Sequence, residues 1–308
     1  MKAIVLEQFG GIEELTIKDI ETPKIKEGEV LVKTKAFSIN PVDYKTRAGG
    51  AAAKRLKLPI ILGWDLCGEV TETHKNSKFK VGDIVFGMVN FPGEGKTYAE
   101  YVAAPEEHVT LKPENISVAE AAAIPLAALT AYQALIKEGK IQSGSKVLVL
   151  GASGGVGHLA VQIAKSVGAY VIGVASGKNE EFLINLGVDQ FIDYTQEDFE
   201  KLVKDVDVAL DCVGGGTALK AISVIKNGGK LISLPSPISK ESNNVNLKVE
   251  IPWVLVHSDQ KDMNVITDLL KNGKLKVHID KTFSFDRVGD AHDYLEHEKI
   301  VGKIVVTI

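Results

Sequence analysis

The stretch Val147-Leu148-Val149-Leu150-Gly151-Ala152-Ser153-Gly154-Gly155-Val156-Gly157-His158-Leu159-Ala160-Val161-Gln162 constrains this chain more than any other. Four apolar residues in succession predict a buried parallel strand, and the apolar spacing after Gly157 predicts a helix. Between them lies a loop with four glycines in seven residues. Glycine lets the backbone approach a ligand closely, and the free N–H groups of a helix start favour an anion such as a diphosphate. Strand, loop and helix in this order predict a dinucleotide site. An ordinary strand–helix turn is the plainer alternative.

With 308 residues, 45% hydrophobic and 25% charged, the chain is long enough for two ordinary globular domains. Its net charge of −4 points away from nucleic acid and anionic membranes. The start, Met1-Lys2-Ala3-Ile4-Val5-Leu6-Glu7, has too short an apolar run for a signal peptide, and no run approaches the ~20 residues of a membrane span. Two cysteines, Cys67 and Cys212, exclude a disulfide framework and a four-cysteine zinc site. A cytoplasmic protein is expected.

The N-terminal part reads as β-rich. Val30–Ala36 alternates in its second half and Gly68–Thr73 throughout, Lys80–Gly87 reads as a turn at Gly82-Asp83 into a strand, and Tyr98–Ala103 follows in the same style. Short strands with glycine and proline punctuation predict a partly open barrel. Between them, Ser38–Gly49 is a polar stretch in which Pro41 stops any strand.

Near residue 116 the pattern changes. Ser117-Val118-Ala119-Glu120 has the form of a capping box, a short helix ends at Pro125, and Leu126–Ile136 forms a second, apolar helix. Strands then alternate with helices: 146–150 with 156–167, 170–174 with 178–186, 190–194 with 197–203, 207–211 with 216–226, then 230–234. This alternation predicts a doubly wound parallel sheet. Val249–Val256 reads as one more strand, placed at an edge by Pro252 and able to serve as the seam of a homodimer. A helix over 262–272 and a strand over 302–308 close the chain.

In these motifs the chain resembles the medium-chain dehydrogenase/reductase superfamily, in its zinc-free quinone oxidoreductase (zeta-crystallin-like) branch. The matching stretches are Asn40-Pro41-Val42-Asp43, Gly63-Trp64-Asp65, Val81–Val85, Leu129-Thr130-Ala131-Tyr132, Gly151–Gly157 and Gly302-Lys303-Ile304-Val305. The resemblance implies a Rossmann dinucleotide-binding domain over 117–257, inserted into a GroES-like catalytic barrel formed by 1–116 and 258–308. It also implies an active site in the cleft between the two.

Zinc alcohol dehydrogenases of the superfamily hold their metal with a cysteine where this chain has Asn40 and a histidine where it has Trp64. An amide is a poor ligand for zinc, an indole is none, and Asp65 alone cannot hold the ion. Met88–Thr97, where the structural four-cysteine lobe would lie, contains no cysteine. His74, His108, His158, His257, His278, His292 and His297 show no paired spacing suited to a metal and read as surface or loop residues. No metal is expected.

An NAD enzyme places an acid about 20 residues beyond the glycine loop, on the ribose 2′-hydroxyl. Here that position is Ala175, followed by Ser176, Gly177 and Lys178. Ser176 and Lys178 suit the 2′-phosphate of NADPH, and one or two charge-assisted bonds of about 1.5–3 kcal/mol each imply at least tenfold discrimination. Ser176 also reads as a helix N-cap, and Lys178 as a solvated lysine. By resemblance Tyr194 approaches the adenosine phosphate and Thr130 the nicotinamide. Asp211-Cys212-Val213-Gly214 and Leu234-Pro235-Ser236-Pro237 end the fourth and fifth strands on the ligand-binding edge. The cofactor set is therefore Thr130, Gly151, Ser153, Gly154, Gly155, Val156, Gly157, Ser176, Lys178, Tyr194, Cys212, Val213, Leu234 and Ser236. Cys212 reads as packing and not as a nucleophile, because no basic residue adjoins it.

Without a Lewis acid, the expected acceptor is a quinone or α,β-unsaturated carbonyl, in which developing charge is delocalised and one or two hydrogen-bond donors suffice. Asn40, Tyr44 and Lys45 are the candidate catalytic residues. Many quinone reductases have tyrosine at the position of Lys45, whereas here it stands one residue earlier. Alternatively, Tyr44 packs and Lys45 pairs with Asp43 or Asp65. The reading is an NADPH-dependent quinone or enone reductase. Its alternatives are a zinc-free carbonyl reductase and a non-catalytic NADPH-binding redox sensor. Pocket-shaping loops at 50–58 and 238–248 carry no readable motif.

Overall fold

The computed structural model describes residues 1–238 and 248–308, so most of the 238–248 loop lies outside the described residues. The chain divides into two compact units: Met1–Leu129 with Val256–Gly273 and Val277–Ile308, and Thr130–Leu255 with Lys274–Lys276. The helix Val118–Ala123, expected with the nucleotide domain, falls in the first unit. Ser117 and Glu120 cap it reciprocally, and its buried Ala121, Ala122 and Ala123 let it lie close against the strands Glu29–Ile39 and Asp65–Glu72.

In the first unit Glu29–Ile39 is the spine of a seven-stranded sheet. It pairs antiparallel with Asp65–Glu72, with Tyr101–Pro105 and with the C-terminal strand Lys303–Thr307, whose Ile304 faces Ile39. A smaller sheet orders Leu15–Asp19, Lys2–Leu6 and Ile60–Ile61. The core beneath holds Ile4, Leu6, Phe37, Ile39, Tyr98, Ile304 and Val306, with the Phe37 and Tyr98 rings stacked at 4.5 Å. Each such apolar side chain contributes about 1.5–3 kcal/mol by leaving water.

Pro41 does stop the strand, but a helix follows, Pro41–Arg47. Asn40 and Asp43 form its capping box, and proline at the first helical position costs no hydrogen bond. This helix carries Tyr44 and Lys45.

The second unit is a five-stranded, all-parallel sheet ordered Gln190–Asp193, Tyr170–Ala175, Lys146–Leu150, Val206–Asp211 and Ile225–Ser233. In chain order that is 3-2-1-4-5, the doubly wound arrangement that receives ligands at the carboxyl edge. The helix Gly216–Ile222 ends short of the expected residue 226, because the last strand already begins at Ile225. The strand expected over Val249–Val256 is not formed. Only Glu250 pairs, with its N–H on Gly229 O and its O accepting from Leu231, both at 2.9 Å. Pro252, lacking an N–H, stops the ladder. Among the described residues no helix is long and apolar enough to cross a membrane.

Candidate active site

The predicted glycine loop joins the first strand of the parallel sheet to the helix Gly157–Ser166. Gly151 has φ +73°, a conformation that glycine adopts without penalty, and its N–H and that of Ala152 both bond to Val174 O. A Cβ at Gly157 would run into the Gly151 carbonyl, whereas one at Gly154 would meet nothing nearer than 3.4 Å. The loop is thus tight beneath Gly157 and open over Gly154, the form a diphosphate requires.

Asn179, which no sequence pattern singled out, connects two predicted residues. Its buried amide donates to Ser153 Oγ at 2.9 Å and to Ser176 Oγ at 3.4 Å. Ser176 and the exposed Lys178 follow the strand that ends in buried Ala175. Tyr194 is 53% exposed and its N–H bonds to Ala175 O. At the fourth strand's end the buried Asp211 carboxyl accepts the N–H of Val213 and Gly214 and, at 2.8 Å, the hydroxyl of Ser233. Leu234 N–H bonds to Asp211 O, while Val213 and Ser236 are exposed. Burial and the neighbouring Asp211 push the Cys212 thiol well up, which removes it as a nucleophile. Thr130 is buried in the helix Pro125–Tyr132. These residues fit a dinucleotide.

In the first unit, Asn40 is 1% exposed and held at both ends. Its amide N–H donates to Asp65 Oδ2 at 2.8 Å, and its carbonyl accepts from Lys303 Nζ. Asp65 further accepts the Leu126 N–H at 2.7 Å and the Ser38 hydroxyl. Lys303 is the residue that sequence reasoning missed. The only sequence signal was its place in Gly302-Lys303-Ile304-Val305, a charge within a strand otherwise buried. The cation beside Asp65 is therefore Lys303 and not Lys45, which is exposed. Burial opposes Lys303's charge and pulls its pKa down, while Asp65 and Asp43 favour the charge.

Asp43 is buried, accepts the Asn40 N–H at 2.6 Å, and leaves Oδ1 without a hydrogen bond. Burial is the main cause that pushes its carboxyl up to about 7. Next to it, Tyr98 OH lies 3.0 Å from His292 Nε2, and Arg47 Nη1 lies 3.2 Å from His292 Nδ1. Arg47 can only donate, so Nδ1 accepts and Nε2 carries the proton toward Tyr98. Arg47 also pairs with Glu296 at 2.7 Å. His292 and His158 correct the expectation of surface histidines: both are fully buried in helices, and His158 Nδ1 lies 2.8 Å from Gly154 O. Tyr44 is partly buried, and burial followed by Glu296 raises its pKa, so its phenol keeps its proton.

Zinc does not fit here. The Trp64 indole N–H is spent on Gly93 O at 2.7 Å, Asn40 is tied at both ends, and an ammonium already neutralises Asp65. No group of three histidine, cysteine or acidic residues suited to a metal occurs among the described residues.

Residues 26–114 match the family "Alcohol dehydrogenase GroES-like domain", and 186–306 match "Zinc-binding dehydrogenase". The chain is 39% identical to the 2-methylene-furan-3-one reductase of Solanum lycopersicum, over 99% of this chain and 79% of that protein. It is 36% identical to the NADPH-dependent alkenal/one oxidoreductase of Arabidopsis thaliana, with the same coverage. The solved quinone oxidoreductase of Coxiella burnetii superimposes with a TM-score of 0.92 at 36% identity, covering 100% of this chain and 99% of that one. The glycine loop, the parallel sheet and these similarities together make the chain an NAD(P)-dependent oxidoreductase that belongs to the medium-chain dehydrogenase/reductase superfamily, in its quinone oxidoreductase branch.

Proposed function

We propose that this chain is an NADPH-dependent reductase that passes hydride to quinones or α,β-unsaturated carbonyl compounds without zinc. One observation carries the reading: Asn40 and Trp64, which stand where zinc relatives carry metal ligands, are spent on Asp65, Lys303 and Gly93 O in a chain whose glycine loop is intact. The names of the tomato, Arabidopsis and Coxiella relatives support the acceptor class.

When bound, NADPH supplies the hydride. The N–H groups of Gly151, Ala152 and Gly154 are spent within the fold, so the remaining loop amides up to Gly157 would hold the diphosphate, and Ser176 and Lys178 the 2′-phosphate. A conjugated acceptor spreads the developing charge to its oxygen, so protein hydrogen bonds replace the Lewis acid. Tyr44, its phenol protonated, and the exposed Lys45 supply them. Asn40, bound at both ends, orients the helix that carries both. The test is oxidation of NADPH by the purified protein with a panel of quinones, enones, saturated aldehydes and buffer alone. Turnover confined to quinones or enones supports the reading. Turnover of saturated aldehydes as fast, or none with any acceptor, overturns it.

We also infer a cytoplasmic homodimer. Two unpaired cysteines suit a reducing compartment, and Trp253, 56% exposed, and Leu255 leave apolar surface beyond the last paired residue of the sheet edge. Cell fractionation and sedimentation test the two statements separately; a monomeric wild type would remove the second.

A further inference from the structure

The acid that Ala175 lacks stands one strand away. Asp193 ends the strand Gln190–Asp193, and the parallel register sets it level with Ala175. Its carboxyl accepts the Thr195 N–H at 3.0 Å and the Thr195 hydroxyl at 2.8 Å. It also takes the N–H of Gly177. A Cβ built on Gly177 would run into Asp193 Oδ2. The carboxyl therefore lies against the middle residue of Ser176-Gly177-Lys178. The Thr195 bonds, with that of Gly177, hold its pKa below the usual carboxylate range, so it is negative at neutral pH.

We propose that Asp193 reads the 2′ position of the adenosine ribose in this chain, supplying from the third strand the carboxylate that NAD enzymes carry on the second. This rests on the assignment of Ser176 and Lys178 to the 2′-phosphate. A phosphate there brings up to two negative charges to the tripeptide that Asp193 touches, well inside the ~8 Å over which charges act at physiological salt. Repulsion subtracts from what Lys178 contributes, and the unmodified 2′-hydroxyl of NADH escapes it. The chain accordingly accepts both nucleotides, with a preference for NADPH smaller than Ser176 and Lys178 alone would impose.

The experiment is a titration of NADPH and NADH, followed by calorimetry, against the wild type, Asp193→Asn and Lys178→Ala. Asparagine keeps the oxygen that accepts from Thr195 and exchanges Oδ2, the oxygen against Gly177, for an uncharged amide, so the Thr195 turn is retained while the charge goes. The ratio of dissociation constants, NADH over NADPH, is expected to rise about three- to tenfold in Asp193→Asn. An unchanged ratio, or both nucleotides weakened alike, overturns the proposal and leaves Asp193 a turn residue. Lys178→Ala tests the underlying assignment on its own. If that variant keeps the wild-type ratio, the lysine does not bind the phosphate, while a raised ratio in Asp193→Asn still shows the acid's selection.

Discussion

Lys303 Nζ lies 3.9 Å from Asp65 Oδ2, with both side chains essentially out of solvent. Three further donors, from Asn40, Ser38 and the Leu126 backbone, converge on the same carboxyl. Removing one partner of a buried pair strands the other charge, so Lys303→Met is expected to cost about 3–5 kcal/mol. Lys303→Arg should retain part of that stability. Adding Asp65→Asn to Lys303→Met should cost less than the two single changes summed, because no charge then remains unpaired. Urea unfolding of the wild type, the three single variants and the double variant measures this; strict additivity would show that the residues do not interact.

Purified protein should hold well under one zinc per chain, and a chelator should leave NADPH oxidation untouched. The spent indole N–H of Trp64 and the Lys303 ammonium are the reasons. Stoichiometric zinc by elemental analysis, lost together with activity, would contradict them.

Asp43 and His292 give opposite pH dependences. Burial first, with the Asp65 charge adding to it, lifts the Asp43 pKa from 3.8 to about 7. The folded chain therefore holds a proton that the unfolded chain lacks, and this stability is lost as pH rises toward about 7. Burial first, then Arg47, lowers the His292 pKa from 6.5 to about 3. Here the unfolded chain takes the extra proton, and stability is lost as pH falls below 6.5. The two slopes oppose each other between about pH 4 and 6.5. Relative to wild type, Asp43→Asn should gain stability with rising pH across this window, and His292→Gln should lose it. Denaturant midpoints across the window test both; variant curves parallel to the wild type would rule the linkage out.

Gly154 and Gly157 should separate binding from folding. Gly154→Leu has room in the fold but fills the open face of the loop, so it should weaken NADPH binding at near-normal stability. Gly157→Ala drives a methyl into the Gly151 carbonyl and should lower the melting temperature. A Gly154→Leu protein that binds NADPH as well as the parent would place the diphosphate elsewhere.

Loss of one oxyanion donor typically lowers turnover about 10²–10³-fold. At least one of Tyr44→Phe and Lys45→Met should show that loss with a quinone while NADPH affinity stays near the parental value. Parental turnover in both would leave protonation to solvent.

The parallel sheet and its glycine loop were legible because each strand–loop–helix unit carries its own local pattern. The helix Pro41–Arg47 was less so: Pro41 read as a strand breaker, although Asn40-Pro41-Val42-Asp43 also spells a capping box with proline at the first helical turn. Lys303 and His292 escaped because their partners, Asn40 and Tyr98, stand 263 and 194 residues away in the chain. Asp193 escaped for a related reason: register across two strands sets it level with Ala175, and single-strand reading sees only Ala175. The extra strand over 249–256 was expected at an edge, where Pro252 would be tolerated, but the hydrogen that Pro252 lacks ends the pairing after Glu250.

The strand Lys303–Thr307 fills a slot beside Glu29–Ile39, so the first unit is stitched from both ends of the chain. During synthesis the buried Asp65 waits for its counter-ion until Lys303, far downstream in the chain, has been made. The second unit's sheet, contained within one continuous stretch, has no such wait. A chain cut just before Lys303 would keep the whole glycine loop yet leave Asp65 uncompensated, so a nascent or clipped protein would hold the nucleotide-binding half without a finished partner.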